Sequence, residues 1–151
     1  MSELWGIILT ACITISGGII VYVIGRLLVV LFVEPVHRLR SLIGEIADSL
    51  FFYAPVYSNP SGVINYQGKA DEATEIFRLQ ASQLMAGAYA IPWYPLWSFL
   101  RLVVIKKRVE DASKELTGLS NLVRSGPATN YGLQAGALRG KIEELLGIRS
   151  G

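Results

Sequence analysis

Between Leu4 and Val33 the chain runs thirty residues, LWGIILTACITISGGIIVYVIGRLLVVLFV, with a single charge, Arg26. A helix needs about 20 predominantly apolar residues to cross the hydrocarbon core of a bilayer, and Leu4 to Gly25 supplies 22 with none charged. Lipid offers the backbone no hydrogen-bond partners, so a lone stretch can satisfy its amides only as a helix. Residues 1–33 therefore read as a transmembrane anchor. A secretory signal peptide is the rival reading. Such peptides open on Lys or Arg, carry a shorter apolar stretch and end on small residues. Met1-Ser2-Glu3 has no positive charge and the apolar run is too long, so an uncleaved anchor is expected. Basic residues favour the cytoplasmic side. Only Glu3 flanks the span on its N-terminal side, whereas Arg26, His37, Arg38 and Arg40 follow it. The expected topology has the N-terminus outside and the remainder in the cytoplasm.

The roughly 118 residues beyond the anchor suffice for one small domain. With 14 basic and 12 acidic residues the formal charge is +2, which lacks the general basicity of a nucleic-acid surface. Cys12 is the single cysteine and His37 the single histidine. Disulfide frameworks and the usual zinc sites each need more of these residues than the chain has. No cofactor is expected.

The apolar run meets Glu34-Pro35. Proline is tolerated in the first turn of a helix, so a new helix or a kinked continuation begins there and forms a juxtamembrane segment over 34–57. Its apolar positions Val36, Leu39, Ile43, Ile46, Leu50 and Tyr53 alternate by three and four, and Val29 and Phe32 extend the pattern backward. That alternation keeps one stripe facing a neighbour, as in a coiled coil. Arg38, Arg40, Glu45 and Asp48 occupy the opposite face. Pro55 and the cluster Ser58-Asn59-Pro60-Ser61-Gly62 supply turn chemistry, and loop is read to about Gly68.

Region 69–151 reads as helical and cytoplasmic. Asp71, Glu72 and Glu75 give a helix start its acidic bias, followed by an apolar face of Ala73, Ile76, Phe77, Ala81, Leu84, Met85 and Ala88. A helix from about Val109 to Val123 carries Val109, Ala112, Leu116, Leu119 and Val123 on one face. After Ser125-Gly126-Pro127, a last helix from about Tyr131 to Ile148 presents Leu138, Ile142, Leu145 and Leu146, with Arg139 and Glu143 as an i,i+4 pair. Segment 86–105, AGAYAIPWYPLWSFLRLVVI, has the length of a span, one charge and two central prolines. Its aromatics Tyr89, Trp93, Tyr94 and Trp97 suit the headgroup boundary, and Lys106, Lys107 and Arg108 follow at once. An interfacial or shallow re-entrant segment fits best, ahead of a buried core segment and of a second crossing. The basic clusters suit anionic headgroups, although ordinary positive-inside topology accounts for them without any specific lipid.

Gly6, Thr10, Thr14 and Gly18 recur every four positions, with Gly17 and Gly25 nearby. Helix pairing in lipid relies on close backbone approach at small residues, so this stripe, with Val29, Phe32, Val36, Leu39, Ile43, Ile46 and Leu50 below it, reads as an interface between copies. Glycine and threonine are also common in spans for no such reason. In a pore, Thr10, Thr14, Ser16 and Arg26 would face a lumen. Arg26 near the end of the hydrocarbon more simply snorkels to the headgroups. Glu34 and His37 have the spacing of one half of a di-iron motif, which needs a second such pair and further glutamates. No nucleophile elbow, phosphate loop or dinucleotide pattern is present, and an enzyme is not expected.

The runs EPVHRLRSLIGEIADSLFFYAPVYSNP, AIPWY and KELTGLSNLV resemble small bacterial membrane proteins with one N-terminal span. The resemblance implies a bacterial inner-membrane location and supplies no functional residues. The expected architecture is all-α, with a long N-terminal transmembrane helix continuing into a small cytoplasmic helical bundle. The expected function is a membrane-anchored, self-assembling interaction protein, partnered by the lipid bilayer, by further copies of itself or by another membrane or cytoplasmic protein. The alternative is a homo-oligomeric membrane pore or channel, which includes a membrane-permeabilising effector.

Overall fold

The π-helical turn Val29–Val33 joins two α-helices, α1 (Ser2–Leu28) and α2 (Glu34–Phe52), into one long rod. Pro35 is the cause. It has no N–H to offer the carbonyl four residues back, and its ring crowds that carbonyl. The ladder re-registers by one residue, with the Glu34 N–H donating to the Val29 carbonyl, and so absorbs the proline without breaking the rod. The computed structural model describes residues 2–58, 65–126 and 131–148. Among these, every element is helical: α3 (Ala54–Ser58), α4 (Tyr66–Ala90), α5 (Tyr94–Phe99), α6 (Lys106–Ser125) and α7 (Tyr131–Leu146) follow. The expected turn residues Asn59, Pro60, Ser61, Gly62 and Pro127 lie outside the described residues.

The core is built on α4, which packs against α2 on one side and α6 on the other, while α7 packs on α6 and α3. Ala73, Phe77, Ala81, Leu84 and Ala88 of α4 meet Val109, Ala112, Leu116, Leu119 and Val123 of α6, all buried. Ala73, Ala81, Ala88 and Ala112 leave little side-chain bulk between these two helices, so their axes can approach closely. Ile142 and Leu146 of α7 are buried as expected, joined by Tyr131 and Ala135. The Arg139–Glu143 pair is formed, at 2.7 Å. Two buried hydroxyls find backbone partners: the Ser113 hydroxyl donates to the Ala81 carbonyl at 2.8 Å and the Tyr57 hydroxyl to the Leu50 carbonyl.

Two expectations change. Leu39, Ile46 and Leu50 are buried within the chain's own core, together with Leu42, where α2 packs on α4. The three-four stripe of α2 therefore has its partner in the same chain, and these side chains are not available to a second copy. Second, α4 begins at Tyr66 instead of near Asp71. Asn65 adopts the left-handed conformation, φ 56°, its carbonyl accepts the Lys69 N–H at 3.3 Å, and Gly68 leaves room for its side chain, which lies 2.8 Å from where a Cβ would stand. Among the described residues, segment 86–105 holds no helix long and apolar enough to cross a membrane. Residues 86–90 continue α4, and α4 stops because Ile91 precedes Pro92 and is driven to extended backbone, φ −84° and ψ 112°.

Candidate functional site

Among the described residues the longest exposed apolar stretches are α1 and the segment from Ile91 to Ile105, with Phe51, Phe52, Leu79 and Leu133 exposed singly or in pairs elsewhere. The rod Leu4–Phe52 contains the one helix, among the described residues, that is long and apolar enough to cross a membrane, and none of its most apolar stretch is buried. Nothing in the fold covers it. The Thr10 hydroxyl donates to the Gly6 carbonyl at 2.8 Å and Thr14 to the Thr10 carbonyl at 2.9 Å, so both threonines satisfy themselves within the helix. At about 100° per residue, Gly6, Thr10, Thr14, Gly17, Gly18 and Gly25 fall within an arc of about 120°. A Cβ added at any of the four glycines meets no neighbour. The same arithmetic sets Ser16 and Arg26 about 160° and 120° around from Thr14, so the four residues considered for a lumen do not share a face.

The foot of α1 meets the second surface. Phe32 packs its ring at 5.8 Å from Trp93 and 6.2 Å from Trp97, centroid to centroid. Val29, also expected on a seam, is exposed, while Val36 and Ile43 are partly buried against the core. The aromatics of segment 86–105 have separated roles. Tyr94 is buried, donating its hydroxyl to the Val104 carbonyl at 2.6 Å. Burial, with a smaller contribution from the Glu110 charge, pushes its pKa up to about 12. It is a core residue and not a headgroup contact, which corrects the sequence expectation. Trp97 is half-buried and donates its indole N–H to the Pro92 carbonyl at 3.1 Å. Tyr89 and Trp93 are exposed, and the Lys106 ammonium sits 3.8 Å over the Tyr89 ring.

Leu96, Phe99, Leu100 and Ile105 add to the apolar exposure of this segment. Phe99 is 84% exposed and Trp93 71%. Trp93 and Arg101 both hold left-handed backbone, φ 52° and 56°. That conformation costs a non-glycine residue roughly 1–2 kcal/mol and persists only where the surroundings impose it. The sequence does carry a signal for the charge here: no acidic residue occurs between Glu75 and Glu110. Arg40, Arg101 and Arg108 line one recess beneath the segment, walled by Leu39, Ile43 and Leu146. Arg108 also donates to the Glu144 carbonyl. Lys107 is exposed. Among the described residues no group of three His, Cys, Asp or Glu side chains is placed to hold a metal. Glu34 and His37 stand on the first turn of α2, half-buried and exposed respectively. No known protein family, curated protein or solved structure matches the chain.

Proposed function

We propose that the chain is a membrane-anchored helical interaction protein that assembles with copies of itself and has no enzymatic activity of its own. One observation carries the reading: none of the most apolar stretch of α1 is buried, while the helices beyond it close a core without it. Apolar surface on this scale is unfavourable in water at about 25 cal/mol per Å², and a bilayer removes that cost. The excess of Arg26, Arg38 and Arg40 on the C-terminal side of the span, over Glu3 alone on the other, supports a bundle in the cytoplasm and an N-terminus outside. The sequence resemblance supports a bacterial inner membrane.

Self-assembly rests on the small-residue arc of α1, because the α2 stripe is used within the chain. Gly6, Gly18 and Gly25 allow another helix to approach to backbone contact. The scattered placement of Ser16 and Arg26 counts against a conducting lumen. The mass of the detergent-solubilised protein is the test: two or more times 16.5 kDa is expected, and a strict monomer overturns self-assembly.

A further inference from the structure

We propose that the segment from Ile91 to Ile105 is a membrane-docking foot, seated in the headgroup layer of an anionic bilayer with Arg40, Arg101 and Arg108 gathering lipid phosphate. This rests on α1 being the span, and it adds a second contact with the same bilayer. The geometry points to it through length. Trp5 to Phe32 is about 40 Å of helix at 1.5 Å per residue, close to the 40–45 Å of a bilayer including its headgroups. With Trp5 at one boundary, Phe32 lies at the other, and Phe32 is the residue against which Trp93 and Trp97 pack. The segment is therefore held at headgroup depth by a contact with the span itself.

Its chemistry matches that depth. Trp93, Leu96, Phe99 and Leu100 project apolar surface that the protein leaves uncovered, and tryptophan favours the headgroup boundary. Interleaved with them are Arg101, Lys106, Lys107 and Arg108, with no carboxylate in the run. Among the described residues none of these four, nor Arg40, forms an ion pair with a carboxylate. Guanidinium groups suit phosphate oxygens through bidentate hydrogen bonds. The recess they line has Phe99 and Ile105 at its margin, so a phosphate inside it would leave the acyl chains beside apolar side chains. The left-handed backbone at Trp93 and Arg101 brackets the exposed stretch and turns the chain sharply at both ends. Such conformations persist only where the surrounding structure imposes them.

The experiment uses the full chain reconstituted in vesicles of neutral phosphatidylcholine, with or without anionic phosphatidylglycerol. An environment-sensitive fluorophore is placed at Phe99→Cys or Lys114→Cys in a Cys12→Ser background, or on the native Cys12 before reconstitution. Lipids carrying a quencher either close to the headgroup or deep in the acyl chain report depth. We expect the Phe99→Cys label to be quenched by the shallow lipid, more strongly in anionic vesicles, and the Lys114→Cys label to be untouched. Arg101→Gln and Lys107→Gln should each lower the docked-to-undocked ratio about fivefold, the equivalent of about 1 kcal/mol per basic charge. If Cys12 is quenched deeply while Phe99→Cys behaves like Lys114→Cys, the bundle stands clear of the bilayer, and the foot is overturned with the anchor intact. If Cys12 is not quenched, the anchor fails and the foot with it. Equal quenching in neutral and anionic vesicles overturns the role of the arginines.

Discussion

Replacing Ile46 by alanine distinguishes a stripe used inside the chain from one shared between copies. Ile46 is fully buried where α2 meets α4. The change removes three carbons, each worth about 0.8 kcal/mol on burial, for a loss of about 2.4 kcal/mol. The unfilled space adds to this, and buried Ile→Ala changes span about 2–5 kcal/mol, so about 3 kcal/mol is expected. Small domains are stable by about 5–15 kcal/mol in all, so the variant loses a large share while remaining folded. At roughly 4 °C per kcal/mol for a domain of this size, the thermal midpoint falls by about 12 °C. Near-ultraviolet circular dichroism of the protein in lipid nanodiscs follows the bundle, at two protein concentrations tenfold apart. The midpoint should shift equally at both concentrations, and the oligomer mass should not change. A midpoint that depends on concentration, with a reduced oligomer mass, would place Ile46 between copies and refute the packing of α2 on α4.

Gly18→Leu adds bulk to the small-residue arc of α1 and should lower the oligomer mass in detergent, whereas Ser16→Leu, on the far side of the helix, should leave it unchanged; equal effects would remove the arc as the interface. Burial raises the Tyr57 and Tyr94 pKa values from 10.0 to about 12, and burial with the Tyr66 hydrogen bond raises that of Tyr131. Their folded values lie above the unfolded one, so the stability they contribute is complete below pH 10 and is lost as the pH rises toward 12. Phenolate absorbance should therefore show these tyrosines ionising together with unfolding, in a step that Tyr57→Phe makes shallower. Independent titration of all tyrosines near pH 10 in the folded protein would contradict their burial.

Periodicity made the helix faces legible because an amphipathic helix writes its buried side into the chain every three or four residues. The α6 face from Val109 to Val123 and the α4 face from Ala73 to Ala88 were readable for this reason. What periodicity does not carry is the address of the partner. The α2 stripe looks the same whether it meets α4 or a second copy, and only the closed core decides. Nor does residue type report exposure within segment 86–105. Tyr94 is drawn inward because the Val104 carbonyl lies within reach of its hydroxyl, whereas Phe99 is turned outward. The left-handed residues Asn65, Trp93 and Arg101 were hidden because only asparagine among them favours that conformation. The glycines and threonines of α1 were legible as small residues. Their separation from Ser16 and Arg26 needed only the helical repeat.

Cys12 offers the most direct test of α1 as a lipid-embedded anchor. Its thiol lies exposed on the helix with no protein cover, so in water it is open to reagents. In hydrocarbon it is shielded, because a charged, water-soluble reagent does not enter the bilayer core. Native membranes containing the protein are exposed to a water-soluble maleimide, before and after dissolution in denaturing detergent. Cys12 is predicted to remain unlabelled until the membrane is dissolved and then to label fully; rapid labelling in intact membranes would contradict the span.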